Sequence, residues 1–281
     1  MTDDPLPELE TSRNSADNDN KFHPGARSLL ADIVMGVRFF SRYPLPGFAH
    51  EAPSFNRMAP ALGFTGVVLG FIPAAFLVVL AFLGLPPLVA AGMSVAVYVV
   101  STGAMAEDAL ADSADGLFGG NSIADRLEIL RDSRHGTYGV TALVLFLLIR
   151  VGILAAAISL SPWIAACLWV GATTLARSGA LWLARSLPPA RRDGSGATAG
   201  VMGLVPFAAG LGISMLMVFI LVGPFAGWWG LALALCVSAA LAVGWEKLCK
   251  KLVGGQTGDL IGALQALLEI ALLTTFIGMV G

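Results

Sequence analysis

Residues 62–106 form an uncharged stretch that reads LGFTGVVLGFIPAAFLVVLAFLGLPPLVAAGMSVAVYVVSTGAMA, without a single Asp, Glu, Lys or Arg. Residues 201–245 form a second stretch of the same kind. Each is long enough to cross a bilayer twice at about 20 residues a crossing. Because both lack period-two alternation, they predict helices rather than the strands of a membrane barrel. The predicted fold class is all-α, a polytopic integral membrane helical bundle.

The composition of the whole chain agrees with this class. Of the 281 residues, 56% are hydrophobic and only 13% are charged, against about 25% charged residues in soluble domains. The three cysteines form no CxxC or Cys/His cluster, so we expect neither a disulfide nor a structural zinc site. The net charge of -2 says little about partners, and no nucleic-acid partner is expected.

About seven transmembrane helices are predicted, within a range of six to eight. The predicted crossings are residues 62–84, 88–106, 138–160, 163–184, 200–222, 228–245 and 260–281. The loops on one side of these crossings carry Lys and Arg, whereas the turns on the other side carry none. Because cytoplasmic loops retain positive charge, we expect the N-terminus and every polar loop to lie on the cytoplasmic face of a bacterial or archaeal cytoplasmic membrane.

The remaining parts of the chain are placed by their polarity. Residues 1–25 are polar and lack an apolar core, which predicts a disordered cytoplasmic tail. Residues 26–47 mix apolar and charged side chains and predict an amphipathic helix at the membrane interface, which either packs beneath the bundle or binds substrate. We expect residues 26–281 to form a single membrane-embedded catalytic domain.

Acidic side chains follow the second predicted crossing at helical spacing. Asp108, Asp112 and Asp115 stand at i, i+4 and i+7, which puts their carboxylates on one face of a helix that continues this crossing. Stacked like charges repel one another unless a cation neutralises them, and Mg²⁺ and Mn²⁺ prefer oxygen ligands. The run predicts a metal site, in which Glu107 is either a fourth ligand or only an interfacial charge.

Three arginines follow the acidic run, namely Arg126, Arg131 and Arg134. As a cluster they favour an anionic substrate, because arginine is shaped to clamp phosphate oxygens. They could instead enforce topology or pair with neighbouring acidic residues. His135 lies beside them and is either a general base or a loop histidine without a role.

A glycine loop, GGQTGD at residues 254–259, precedes the last predicted crossing. Its glycines would let backbone N–H groups surround an anion, or let the backbone approach another segment closely. Thr257 or Asp259 could cap the helix that follows.

Four segments resemble one known family. They read FFSRYP at 39–44, EDALADSADGLFGG at 107–120, RLEILRDSRHGTYG at 126–139 and GGQTGDLIGA at 254–263. In this order, over about residues 28–281, they resemble the adenosylcobinamide-GDP ribazoletransferase family. That family often has Gly where Ala109 stands and Thr where Ser113 stands, and both differences are small.

The resemblance implies a membrane-bound transferase that joins adenosylcobinamide-GDP to α-ribazole or its 5′-phosphate. The products would be adenosylcobalamin or its 5′-phosphate, together with GMP, and the cofactor would be Mg²⁺ or Mn²⁺. A homo-oligomer is compatible with the sequence. The candidate catalytic residues are Asp108, Asp112, Asp115 and Asp259, which with Glu107 are also the candidate metal ligands. The candidate phosphate-binding residues are Arg126, Arg131, Arg134, Arg42 and Lys247.

Two other functions fit parts of the sequence. A CDP-alcohol phosphotransferase also uses aspartates spaced by helical turns, but its DGxxAR pattern is not matched here, because the segment from Asp108 to Asp112 lacks the arginine. A transporter would use charges at membrane depth, and Arg150, Arg177 and Glu269 lie within predicted crossings. For these three the sequence leaves open a functional role or a buried ion pair. Most charges lie in the loops, which argues against transport.

Overall fold

The computed structural model describes residues 29–45, 54–132, 134–191 and 201–280. Within these ranges the chain is helical, and its only β-type pairing is an isolated bridge between Pro189 and Gln256. The predicted polar tail, residues 1–25, lies outside the described residues. In chain order the described helices are α1 (Leu29–Phe40), α2 (Phe55–Met58), α3 (Leu62–Phe82), α4 (Pro87–Thr102), α5 (Met105–Gly119), α6 (Ile123–Ile129), α7 (Thr137–Leu160), α8 (Pro162–Ala180), α9 (Trp182–Ser186), α10 (Leu204–Leu221), α11 (Gly223–Leu252) and α12 (Gly258–Val280).

Six helical segments are long and apolar enough to cross a membrane, and the bent pair α4–α5 makes a seventh if it is counted as one span. The six are Phe55–Phe82, Thr137–Leu160, Pro162–Ser186, Leu204–Leu221, Gly223–Leu252 and Gly258–Val280. The predicted all-α polytopic class is confirmed, and the number of spans lies within the predicted range.

Helix α8 is the centre of the bundle. Within its span, 78% of an 18-residue apolar window is buried inside the protein. The corresponding share is 28% for α7 and 22% for α10. It packs against α3, α10 and α12. A Cβ atom on Gly66 of α3 would lie only 2.8 Å from the Cα atom of Thr174 in α8, so small residues let these two backbones approach closely, as membrane helices often do.

The chain turns sharply between α4 and α5. Gly103 (φ 66°) and Ala104 (φ 56°) both adopt the left-handed conformation, and the helix axes are bent by 87°. Two left-handed residues in succession end a right-handed helix. The expectation that the acidic run continues the second crossing is therefore wrong, because α5 is a separate helix. A Cβ atom on Gly103 would also meet Nε of Arg42.

A buried ion-paired group joins three helices in the interior. Arg150 of α7 donates to Oε1 of Glu107 in α5 at 2.6 Å and to Oε2 of Glu269 in α12 at 2.8 Å. The Nε1–H of Trp169 donates to the other oxygen of Glu269 at 3.3 Å. All three charged side chains are at most 4% exposed. The sequence left open a functional role or a buried ion pair for Glu269, and the structure shows the ion pair, with Arg150. Glu107 pairs with the same guanidinium.

We expect Arg150→Met to lower the apparent melting temperature of the purified protein sharply. The change leaves two carboxylates in the interior without their cation, and breaking a buried pair in this way costs about 3–5 kcal/mol. Tryptophan fluorescence during heating in detergent would measure it. Arg185→Met, which removes a half-buried arginine of α9, is the matched control. Equal melting temperatures for the two variants would contradict the central role of Arg150.

Candidate active site

The acidic face of α5 runs from solvent into the protein. The Asp108 side chain is 64% exposed and that of Asp112 is 16% exposed, while Asp115 is buried. Helix α5 begins with Glu107 and Asp108 in its first turn, where the positive end of the helix dipole stabilises carboxylates. It is not one of the six spanning segments, and its polar face borders the end of the bundle.

His135 joins the two outer aspartates. Its Nε2 lies 3.8 Å from Oδ1 of Asp108, and its Nδ1 lies 3.5 Å from Oδ1 of Asp112. One potential ligand atom from each of the three residues falls within 4.8 Å of the others. This group, which we call the Asp–Asp–His group, can hold a divalent cation through two carboxylates and an imidazole. The sequence left His135 as a general base or a loop histidine, and the structure places it beside Asp108 and Asp112 as a possible metal ligand.

Negative charge accumulates around Asp112. Burial, followed by repulsion from the carboxylates of Asp108 and Asp259, raises the pKa of Asp112 to about 6. A group whose pKa is raised by neighbouring negative charge is stabilised by a nearby cation, because the cation favours the ionised form. The electrostatics of the site therefore suit a bound metal ion.

Asp115 has a different set of contacts. Its carboxylate accepts hydrogen bonds from the backbone N–H groups of Gly136 at 2.6 Å and Gly139 at 2.9 Å, which belong to the start of α7. A Cβ atom on either glycine would overlap this carboxylate. Because Gly136 directly follows His135, Asp115 fixes the position of the histidine. Its predicted role as a metal ligand stays a prediction, beside the observed role as a cap of α7.

Glu107 and Asp259 also have partners. Glu107 is paired with Arg150 in the interior and does not belong to the Asp–Asp–His group. Asp259, in the first turn of α12, accepts a hydrogen bond from Nη2 of Arg191 at 3.0 Å and is 29% exposed. Asp259 lines the same cavity as Asp108, so these two predicted residues do lie at one site.

The glycine loop is held by the segment before residue 191. The backbone N–H of Gln256 donates to the Pro188 carbonyl at 2.9 Å, and that of Ala190 donates to the Gln256 carbonyl at 2.8 Å. A Cβ atom on Gly255 would lie 2.5 Å from the Pro188 oxygen. Of the two uses predicted for the loop, the structure shows close backbone approach. The hydroxyl of Thr257 accepts from the Leu260 N–H and so caps α12.

The predicted phosphate-binding arginines 126 and 134 are held by other groups. Arg126 donates to the carbonyl oxygens of Leu117 and Leu252, both at 3.3 Å, and so joins the ends of α5 and α11. Arg134 is 88% exposed and forms an ion pair of 2.6 Å with Asp132. Hydrogen bonds from Arg134 lower the pKa of Asp132 to about 2.

The other three predicted cations, Arg131, Arg42 and Lys247, are exposed. Arg42 packs over the break between α4 and α5, where its backbone N–H donates to the Ser101 carbonyl at 2.7 Å. All five cations lie toward the end of the bundle that carries the acidic site, but the described contacts do not gather them into one cluster. Their phosphate-binding role stays a prediction.

These observations first define a class: a polytopic helical membrane protein with a carboxylate and histidine site beside a cavity at one end of its bundle. Within that class the chain belongs to the cobalamin-5-phosphate synthase family, whose model matches residues 32–277. The resemblance drawn from the four sequence segments is thereby confirmed.

Curated relatives cover almost the whole chain. An adenosylcobinamide-GDP ribazoletransferase from Azorhizobium caulinodans is 43% identical over 249 residues, which are 87% of this chain and 94% of the relative. A relative of the same name from Xanthobacter autotrophicus is 41% identical over 89% of this chain and 96% of its own length. One from Rhizobium etli is 38% identical over 88% of this chain and 96% of its own length. No solved structure matches the chain. The matches favour neither a CDP-alcohol phosphotransferase nor a transporter.

We expect the purified protein to bind Mn²⁺ at the Asp–Asp–His group, and Asp112→Asn or His135→Ala to weaken this binding by roughly tenfold or more, because each removes a ligand. The free Mn²⁺ signal in electron paramagnetic resonance would report the affinity. Glu128→Gln, which neutralises an exposed carboxylate of α6, should leave the affinity unchanged. Equal affinities for Asp112→Asn and Glu128→Gln would place the metal elsewhere.

Proposed function

We propose that this protein joins adenosylcobinamide-GDP to α-ribazole or α-ribazole 5′-phosphate. The products are adenosylcobalamin or adenosylcobalamin 5′-phosphate, and GMP. The observation that carries the proposal is the Asp–Asp–His group beside a cavity in a chain that matches a cobalamin-5-phosphate synthase model from residue 32 to residue 277. The name shared by the curated relatives supports the same reaction.

The reaction is a displacement at phosphorus. A ribose hydroxyl oxygen of the ribazole attacks the phosphorus that carries the corrinoid side of the diphosphate. A new phosphorus–oxygen bond forms, the bond to the bridging oxygen breaks, and GMP leaves with that oxygen and the electron pair. The proton of the attacking hydroxyl must be accepted by a base, and the negative charge that grows on GMP must be stabilised.

We propose Mg²⁺ as the cofactor, with Mn²⁺ as a substitute. Asp108, Asp112 and His135 would hold the ion, with Asp259 and Asp115 as further predicted ligands. The oxygen-rich donor set fits Mg²⁺, and the imidazole also suits Mn²⁺. A bound divalent ion supplies charge stabilisation for diphosphate oxygens and for the departing phosphate.

In this proposal one carboxylate can hold the ion through one oxygen and accept a proton through the other. A carboxylate that borders the cavity, that of Asp108 or Asp259, accepts the proton of the attacking hydroxyl. Arg131 and Arg134 hold phosphate oxygens from the loop before α7. The exposed pair between Arg134 and Asp132 is no obstacle, because a surface ion pair contributes little and is readily exchanged. Arg42 and Lys247 add positive charge at the same end of the bundle, and Arg126 positions the end of α5.

We also propose that this end of the bundle faces the cytoplasm. The described Lys and Arg residues of the loops lie at the end of the bundle that contains the acidic site. The turns at the opposite end, residues 83–86, 161 and 222, contain no Lys or Arg. The positive-inside rule then places the N-terminus and the active site in the cytoplasm. Contact with membrane lipid follows from the same topology, and assembly into a homo-oligomer stays a prediction.

The proposed reaction predicts that purified protein releases GMP from adenosylcobinamide-GDP and α-ribazole 5′-phosphate when Mg²⁺ is present, and that EDTA abolishes the release. Asp112→Asn should lower the rate roughly a hundredfold or more, because it weakens the metal site and removes a charge. Chromatography of the nucleotide products measures both. Glu128→Gln is the control and should release GMP at the rate of the unaltered protein. The absence of GMP with every divalent metal would refute the proposed function.

The proposed orientation predicts that Lys250→Cys, in a chain whose three native cysteines are replaced, reacts with a membrane-impermeant maleimide only in inverted vesicles. Native Cys249 cannot serve as this probe because its side chain is fully buried. Leu83→Cys replaces a residue that is 70% exposed in the opposite turn and should react only in right-side-out vesicles. The reverse labelling pattern would invert the topology.

A further inference from the structure

A groove of about 490 Å³ lies on the outer surface of the bundle, between α3 and α4. Its apolar lining consists of Ile72 from α3 and of Ala96, Val97 and Val100 from α4. The Ile72 side chain is 49% exposed and that of Val100 is 75% exposed. Because α3 belongs to a membrane-spanning segment and α4 to the bent pair, this surface faces the hydrocarbon of the bilayer.

Arg42 lines the same groove, at the end where α4 stops. Its backbone N–H donates to the Ser101 carbonyl at 2.7 Å, and its side chain lies against Gly103, where an added Cβ atom would meet its Nε. The arginine is exposed, and no ion pair between described residues includes it. Its charge can therefore meet an anion that comes from outside the protein.

This groove is separate from the cavity of the candidate active site. That cavity is bordered by Asp108 and Asp259 and is lined by Phe39 and Phe40 from the end of α1, but not by Arg42. Arg42 instead borders side chains that face lipid. A phosphate held by Arg42 would thus lie beside the membrane rather than beside the candidate metal ligands, which argues for a ligand other than the reacting diphosphate.

The combination of an apolar groove and an arginine at its end fits an amphiphile with a phosphate group. Ala96 lies six residues before Thr102, the last residue of α4, so the apolar lining extends roughly 9 Å below the end of the helix. This is more than half of a hydrocarbon leaflet of about 15 Å. Arginine holds phosphate oxygens through charge-assisted hydrogen bonds, and basic pockets between membrane helices bind anionic lipid head groups.

We propose that the α3–α4 groove binds one anionic phospholipid from the membrane. One acyl chain lies along Ile72, Ala96 and Val97, and the lipid phosphate is held by Arg42. The bound lipid keeps this arginine over Gly103, at the turn from which α5 begins. The site does not depend on the transferase function proposed above, because it lies outside the catalytic cavity.

Native mass spectrometry of the full-length protein in detergent tests this site, with phosphatidylglycerol and phosphatidylcholine of identical acyl chains as the probes. We expect one phosphatidylglycerol to bind roughly tenfold or more tightly than phosphatidylcholine, because only the former carries net negative charge for Arg42. Arg42→Gln should remove this preference. Lys251→Gln, which neutralises another exposed cation, should retain it.

A second variant tests the acyl-chain part of the site. Ala96→Phe fills the groove and should weaken the binding of both lipids by roughly tenfold, whereas Ala156→Phe, at an exposed position of α7, should weaken neither. If Arg42→Gln does not fold, Ala96→Phe and the comparison of the two lipids on the unaltered protein decide. Equal affinities for the two lipids would then overturn the proposal.

Other occupants of the groove have distinct signatures, and each would overturn the proposal. Displacement of the lipid by an equal concentration of glycerol 3-phosphate would show a site for soluble phosphates. A lipid preference that survives Arg42→Gln, together with a raised KM for adenosylcobinamide-GDP, would assign Arg42 to the substrate. Dimers without bound lipid that Ala96→Phe dissociates would show that a second copy of this chain covers the groove.

Discussion

The candidate active site depends on the ion pairs that Arg150 forms with Glu107 and Glu269. Arg150 lies in α7, which begins two residues after His135; Glu107 precedes Asp108 in α5; and Glu269 lies in α12, whose first turn contains Asp259. One guanidinium therefore fixes the relative positions of the three helices that carry the site. Burying these charges gains little stability, because removing them from water is costly. What the group provides is a unique arrangement of helices, since any slip would leave a charge unpaired in the interior.

The break at Gly103 and Ala104 provides the second condition for the site. A straight continuation of α4 would carry the acidic run away from the bundle into the aqueous loops. The 87° bend instead lays α5 against α7 and α12, so that the acidic face meets His135 and the cavity. A left-handed alanine costs roughly 1–2 kcal/mol, which the packing of α5 against both helices must offset. Backbone strain is common where a fold positions functional groups.

The sequence predicts the spans well because each span is a local property. Twenty apolar residues require a membrane wherever they occur in the chain, and the segment 62–106 shows this without any knowledge of its neighbours. The acidic site was recognisable for the same reason, since Asp108 and Asp112 are one helical turn apart. The contacts of Arg150 were not, because its partners lie 43 and 119 residues away.

For His135 and Arg177 the sequence left two roles open, for a related reason. Nothing local separates His135 from an ordinary loop histidine, and only the cap between Asp115 and the start of α7 brings it to the aspartates. Its one sequence signal is the pair of glycines, 136 and 139, that the close approach of Asp115 requires. Arg177 could be recognised only as a charge at membrane depth, and its hydrogen bond to Tyr98, 79 residues away, is visible only in the folded chain.

The acidic site also depends on three helix N-termini that converge there. Glu107 and Asp108 lie in the first turn of α5, Asp259 lies in the first turn of α12, and Asp115 accepts two backbone N–H groups at the start of α7. Each N-terminus contributes partial positive charge that stabilises nearby carboxylates. The cluster can therefore stay together with few basic side chains, of which Arg191 is the one paired with Asp259. Because the partial charges of these helix ends reduce the repulsion between the carboxylates, the oxygens of Asp108 and Asp112 suit the divalent cation proposed above.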